Sequence, residues 1–348
     1  MKRGLVTLDQ REIPREVYAA RIEALQAQLR RSSAHVALVY GDVSRSGDIN
    51  YLTNLCLYWS EAVLAVPRDG PPALITKLSK RVTTWMRQTS TLQDIRSGPQ
   101  LAESVSKYLQ DQPGQCRGSL ALIDLPWWPH QLVEQIREAL PDMLLEDLGP
   151  AVRAARLVPS VETRRLLESG AGRLADALRL AWSGGTSAEE CAAIAVRALR
   201  RDGFQDATVA AGGLGDSTEW IDAIGQYRDV WVRRSLSRNG PSATLAETAL
   251  RDLLAAARPG VNETSLARRT TGRFGGSGRA RLACYPYLDL ETRGLYRSPD
   301  DSNRPLQVNE VVCIQLTLCG DDGPVIATDT VSISPSGAVP LCRKELAS

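Results

Sequence analysis

The side chains best suited to moving protons or binding metal are unevenly spread along this 348-residue chain. Its only two histidines, His35 and His130, both lie in the first half. Imidazole titrates near neutral pH and is the commonest nitrogen ligand for transition metals, so the second half of this chain cannot by itself supply a histidine-dependent triad or metal centre. Seven cysteines stand at 56, 116, 191, 284, 313, 319 and 342, with no CxxC pair and no zinc-ribbon spacing. They read as buried thiols packed as small apolar groups rather than as a redox or zinc site. Carboxylates and aromatic rings remain. Cys56 to Glu61 (CLYWSE) sets Glu61 beside Tyr58 and Trp59. A carboxyl among aromatic rings has its charged form disfavoured, so its pKa rises and it can act as a general acid or base without metal. The competing reading for any such carboxylate is a solvated or ion-paired surface group.

The elements that must position these groups fall into two regions. From Arg21 to about Glu146, helix and strand alternate: Arg21–Leu29 has helical spacing, while Val36–Tyr40 (VALVY), Ala62–Val66 (AVLAV) and Leu120–Ile123 read as short buried strands. Leu157-Val158-Pro159 reads as a hinge, and the domains are drawn as 1–152 and 153–348. Past the hinge, Ser160 is the expected N-cap of a helix striped with Leu167, Ala171, Leu174, Leu178 and Ala181, stopped at Gly184-Gly185. Thr186 to Glu189 reads as a capping box opening a second helix. The same grammar then repeats. Leu245–Ala257 is a helix stopped at Pro259-Gly260, Asn262 to Ser265 opens another, and Gly260 corresponds to Gly185. Strands are expected at Glu219–Asp222, Tyr227–Leu236, Val311–Leu318 and Val325–Ile333. Two α+β halves related by a pseudo-twofold, with one curved sheet, would leave a cleft along its concave face.

Composition excludes several classes of function. A formal net charge of +2, with 42 Lys and Arg against 40 Asp and Glu, offers neither nucleic acid nor an anionic membrane a partner surface. The first residues carry no apolar stretch of signal-peptide length, and no run approaches the ~20 apolar residues of a membrane span. A cytoplasmic location is therefore the expectation.

Several segments together resemble the creatinase and aminopeptidase P family. Asp48 to Asn54 (DINYLTN), followed by Glu61 to Gly70, is similar to the "Y-L-T-[GN]" strand and hairpin of its N-terminal domain. Ala155 to Thr163 resembles its "R-x-x-K-[ST]-x-x-E" segment, Ala257 to Val261 its "PG-[VT]" turn, and Ala327 to Gly337 its "I-E-D-T-V-L-V-T-x-x-G" ending. The resemblance implies an α/β creatinase-like N-terminal domain and an α+β "pita-bread" C-terminal domain with duplicated halves.

It also implies where two divalent metals would sit, held in the family by Asp, Asp, His, Glu and Glu. Trp220 to Arg228 matches "V-x-D-x-G-x-x-Y", so Asp222 stands at the first aspartate. Arg233 stands at the second, Tyr285 or a neighbour at the histidine, Gln315 at the first glutamate and Thr328 at the second. A lone carboxylate with a guanidinium, an amide and a hydroxyl does not hold hard divalent cations, so neither metal nor other cofactor is expected. Instead Arg233, or Arg234 if the register slips by one, is expected to fill the metal space and pair with Asp222. Alternatively both arginines point to solvent.

What the family cleft would then do is open to three readings. One is a metal-independent enzyme acting on a small amine or amino-acid-derived substrate. Asp222, Glu61, Asp289 or Glu291 would serve as acid or base, and Trp220, Tyr227, Trp231 and Tyr285 as walls, although strand alternation puts about half of such aromatics on the other face. Its sharpest form is a biosynthetic Pictet–Spengler condensation of a tryptophan-like amine with an aldehyde. The resemblance further implies a homodimer in which Tyr58, Trp59 and Glu61 reach the partner's cleft. The second reading is a non-catalytic pseudopeptidase that binds a peptide or protein. The third is a residual metal-dependent hydrolase of the Xaa-Pro type.

Overall fold

The structure, a computed structural model, describes residues 8–57, 59–111, 118–212, 219–237, 241–274, 280–291, 302–320 and 323–342. It separates into two compact units that meet in sequence between Arg156 and Leu157, at the start of the segment read as a hinge and four residues beyond the boundary drawn after residue 152. Among the described residues, no helix is long and apolar enough to cross a membrane.

The first unit is built on a six-stranded mixed sheet. Its elements are α1 (Arg15–Arg31), β1 (Ala34–Gly41), α2 (Gly47–Thr53), β2 (Ala62–Pro67), β3 (Ala73–Thr76), α3 (Thr83–Thr89), β4 (Asp94–Ser97), α4 (Leu101–Gln110), β5 (Gly118–Ile123), α5 (His130–Ala139), β6 (Met143–Asp147) and α6 (Gly149–Arg156). The strand order is β4-β3-β2-β1-β5-β6. β1 reads VALVY because it is central and buried on both faces. Ala37 and Val39 join Leu25, Leu29, Ile49 and Leu52 of α1 and α2 in one core, and Val36 and Leu38 join Val105, Leu132 and Ile136 of α4 and α5 in the other. Each fully buried Leu or Val contributes about 1.5–3 kcal/mol, so both layers are needed.

One expectation is overturned here. Asp48 to Asn54, which resembled a strand, is helix α2 closed by Asn54 in the left-handed region at φ 65°. Helix wins because Ile49 and Leu52, three residues apart, bury together against the sheet. Asn54 completes the end: its amide nitrogen donates to the Thr89 carbonyl (2.8 Å) and its side-chain oxygen accepts from the Tyr18 hydroxyl (3.1 Å).

The second unit repeats one pattern, helix, helix and three strands. The first copy is α7 (Val161–Gly184), α8 (Ala188–Arg201), β7 (Phe204–Gly212), β8 (Trp220–Tyr227) and β9 (Val230–Ser237). The second is α9 (Pro241–Ala256), α10 (Glu263–Phe274), β10 (Ala280–Pro286), β11 (Val311–Gly320) and β12 (Gly323–Ser334), extended by β13 (Gly337–Pro340). The duplication predicted from the helix and turn signals is therefore present. Ser160 caps α7 by accepting from the Thr163 amide (3.3 Å), as expected. The capping box of α8 is shifted by one residue. Ser187 accepts from the Glu190 amide, and Glu190 accepts from the amide and hydroxyl of Thr186.

Three details differ from the sequence reading. Gly260 and Gly185 are not conformational equivalents, because Gly260 has φ +86° whereas Gly185 is extended at φ −100°. Tyr227 ends β8 rather than opening the next strand, since Arg228 turns the chain at φ 56°. The strands form two antiparallel sheets, β7-β8-β9 and β10-β11-β12-β13, rather than one continuous ladder. Where β9 meets β12, hydroxyls stand in for backbone pairs. Thr330 Oγ1 accepts from the Arg233 amide (2.9 Å) and donates to its carbonyl (2.8 Å), while Ser235 Oγ accepts from the Thr328 amide (2.6 Å).

Candidate functional site

Strand alternation sorts the second unit's side chains between two faces. On β11 and β12, Val312, Ile314, Leu316, Ala327 and Val331 pack with Ala246, Ala249 and Leu253 of α9. Their neighbours Cys313, Gln315, Thr328 and Thr330 thus face the other way. On β8 and β10 the same parity puts Trp220, Asp222 and Ile224, and Ala283 and Tyr285, on that face. On β9 it puts Trp231, Arg233 and Ser235 there.

At the centre is a charged network. The Arg233 guanidinium donates from Nε to both Asp222 oxygens (3.1 and 3.0 Å) and from Nη2 to Oδ2 (2.7 Å). From Nη1 it donates to Gln315 Oε1 (2.6 Å) across the seam. This side-on fork is the strong bidentate geometry of arginine with carboxylate. Burial pushes the Asp222 carboxyl above the ordinary carboxylate range, opposed by the charge and hydrogen bonds of Arg233, which is itself held more firmly protonated by Asp222. The Thr328 hydroxyl adjoins the same carboxylate and has no other partner among the described residues.

The register question resolves in favour of Arg233. Arg234 points to the opposite face, where it lies 3.8 Å from the buried Asp329 and donates to the Cys342 carbonyl. Burial raises Asp329 to about 6 against the pull of Arg234. Asp329, Thr330 and Ser235 were not singled out in the sequence. The signal was available, since Ser235 and Thr330 follow Arg233 and Thr328 by two residues and so share their face.

The aromatic candidates divide. Trp231 is buried with Ile224, Leu290 and Cys313, with Tyr285 packed against them, so both rings adjoin the network. Trp220 lies over Gly212, whose missing side chain makes room for the indole. Tyr227 is corrected: it faces the helices, its Cβ 3.1 Å from where a side chain on Gly170 of α7 would begin, and its ring 5.4 Å from that of Phe204. It is a packing residue. Cys313, beside Arg233, is pushed up to about 12 by burial and stays a protonated thiol. Among the described cysteines only Cys319 is exposed, and Cys116 lies outside the described residues.

The remaining carboxylates are placed differently. Asp289 is buried in the turn Tyr287–Leu290, which packs on β9, and Glu291 follows it, half-buried. Glu61 belongs to the first unit, where it accepts from the Tyr40 hydroxyl (2.9 Å) and Lys77 Nζ (2.6 Å). Trp59 stacks on Trp85 with ring centroids 5.8 Å apart, and Tyr58 lies outside the described residues.

Comparison with known proteins fits these observations. Residues 21–158 match the family model described as the creatinase/prolidase N-terminal domain. The first unit is a creatinase/prolidase N-terminal domain. Solved structures extend the likeness to the prolidase fold over nearly the whole chain. The X-Pro aminopeptidase of Thermotoga maritima is 16% identical, with a TM-score of 0.75 over 93% of this chain and 98% of that one. The prolidase of Pyrococcus horikoshii is 16% identical, with 0.73 over 94% and 99%. A putative aminopeptidase P of Bacillus anthracis is 11% identical, with 0.68 over 96% of each. Comparison with curated proteins finds no sequence match.

The prolidase fold raises the question of metal, and the donor set answers it chemically. Asp222 has both oxygens engaged by a guanidinium, and the facing groups are an amide and a hydroxyl. Hard divalent cations require several anionic or carbonyl oxygens around one point, so these residues do not fit them. Among the described residues, no group of three or more His, Cys, Asp or Glu could hold a metal ion.

Proposed function

We propose that this prolidase-fold chain is a metal-independent enzyme acting on a small amine or amino-acid-derived substrate by acid/base chemistry. One observation carries the reading: the Arg233 guanidinium, bound to Asp222 and Gln315, supplies the positive charge at the centre of the site. Trp220, Trp231 and Tyr285 on the same face suit a ligand that is aromatic and carries an amine. Because both Asp222 oxygens are committed, proton transfer falls to Asp289 or Glu291.

In its sharpest form the reaction is a Pictet–Spengler condensation. An amine nitrogen adds to an aldehyde carbon, water leaves to give an iminium, an indole carbon closes the ring onto it, and the ring proton is lost. No electron acceptor is needed, and the enzyme contributes orientation and a proton shuttle. The same reading brings Tyr58, Trp59 and Glu61 to the partner's site in a homodimer.

The commitment of Asp222 to Arg233 also favours a second reading, a pseudopeptidase that binds a peptide without turnover. The deciding experiment incubates the protein with tryptophan or tryptamine and a panel of aldehydes in excess chelator, following the cyclised product by mass. Product that disappears in Asp289→Asn or Glu291→Gln supports the enzyme. No product across the panel, together with a raised melting temperature in the presence of peptides, supports the pseudopeptidase instead.

A further inference from the structure

The arginine at the centre of the site is only partly used. A guanidinium has five N–H donors, one on Nε and two on each terminal nitrogen. Nε is shared between the Asp222 oxygens, Nη2 gives one bond to Asp222 and Nη1 one to Gln315. Among the described residues, one N–H on each terminal nitrogen remains without an acceptor. The side chain is also unequally buried within its pair, 16% exposed against 6% for Asp222. The carboxylate is therefore the more deeply buried partner and the arginine the less buried one, with Cys313 and Tyr285 near it and Trp231 packed against those two.

The charge count restricts what can bind there. Arg233 is balanced by Asp222, and Gln315 and Thr328 are neutral, so the cluster as a whole carries no net charge. A second carboxylate would be desolvated beside Asp222 without a counter-charge of its own, which is costly in a buried site. A neutral acceptor such as an aldehyde, ketone or amide oxygen meets no such penalty and gains charge-assisted hydrogen bonds.

We propose that the remaining N–H groups of Arg233 form a carbonyl-binding subsite, with Asp222 and Gln315 fixing the guanidinium and setting the preference for a neutral oxygen over a carboxylate. The inference rests on the amine-condensation reading and names its second substrate as the carbonyl compound. As the amine forms its bond to the carbonyl carbon, the π pair moves to the oxygen held by Arg233, where the preset positive charge stabilises it. The proton shed by nitrogen leaves through a separate base.

The test is a titration of the full-length protein with indole-3-carboxaldehyde and indole-3-carboxylate, followed calorimetrically. Wild type should bind the aldehyde and discriminate against the carboxylate. Asp222→Asn, which removes the balancing charge while keeping the shape, should reverse the preference. Arg233→Lys keeps a cation for Asp222 but loses the planar fork, so aldehyde affinity should fall about tenfold or more. Equal binding of both probes to wild type, absence of binding by either, or an aldehyde affinity unchanged in Arg233→Lys overturns the proposal. Should Asp222→Asn fail to fold, the lysine variant still decides. Turnover is not the readout, so loss of the condensation reading would show separately, as intact selectivity without product.

Discussion

Arg233 and Arg234, adjacent on β9, secure the seam between the two sheets from opposite faces: Arg233 binds Asp222 of its own sheet and Gln315 of the other, and Arg234 lies beside Asp329 of β12. Alternation along a strand makes this possible without any turn or bulge. The seam thus has a guanidinium on each side, with Thr330 and Ser235 bridging the backbones between them.

Removing one member of the Asp222–Arg233 pair should be far worse than removing both. Arg233→Met leaves a buried carboxylate without its counter-ion, a change expected to cost about 3–5 kcal/mol. Replacing both residues by apolar ones, Arg233→Met with Asp222→Leu, should recover most of that loss. Urea unfolding of the two single variants and the double completes a mutant cycle. Additive losses would mean that the pair is not coupled in the folded protein.

Asp329 gives the second unit a pH signature. Its folded-state pKa of about 6 lies above the ordinary value of 3.8, so the native state holds the proton more tightly than the unfolded chain. Its contribution to stability is therefore complete below about pH 4 and is lost as pH rises through about 6, amounting to roughly 3 kcal/mol at most. Asp329→Asn cannot titrate, so the difference in stability between wild type and variant should change across that window and stay flat above it. Asp124 in the first unit is also raised to about 6 by burial, and it cancels in that difference. A difference that is constant from pH 4 to 7 would contradict the assignment.

The residues that a sequence exposes most clearly are those whose environment is local or periodic. Ser160 could be read as a cap because its partner is three residues away, and β1 as a buried strand because its five apolar residues face two cores. The repeat of helix pairs was legible for the same reason. Asp48 to Asn54 misled because its strand rested on the resemblance to "Y-L-T-[GN]" alone, whereas the helix is secured by Tyr18 and Thr89, both distant in sequence. Tyr227 misled by parity: one residue more or less on β8 decides between Asp222's face and the helices. That Arg233 and not Arg234 meets Asp222 depends on the same one-residue register, and the sequence alone left both possible.

Tyr227 and Trp231 should therefore respond differently to truncation. Tyr227→Ala empties a packed position between Gly170 and Phe204 and should cost about 3–5 kcal/mol, with no effect on ligand affinity in the folded fraction. Trp231→Ala should weaken binding of aromatic ligands, because its ring adjoins the Arg233 network. Melting curves combined with titrations of each variant separate the effects. A Tyr227 variant with weakened binding would return that ring to the site.

Metal addition tests the chemistry on which the proposed function depends. A cation that binds the folded chain and not the unfolded one stabilises it by mass action, about 2.7 kcal/mol at one hundred times its dissociation constant. With Asp222 already engaged by Arg233 and with Gln315 and Thr328 as the facing groups, millimolar Mn, Co or Zn should leave the melting temperature unchanged. The sensitised control is Arg233→Asp with Gln315→Glu. Both substitutions place carboxylates around the volume the guanidinium now fills, so this variant should gain metal-dependent stabilisation, a response read without any assay of activity. Stoichiometric metal in the purified wild-type protein, with a melting temperature that falls when chelator removes it, would show that the donor set has been misjudged and would return the chain to the hydrolases.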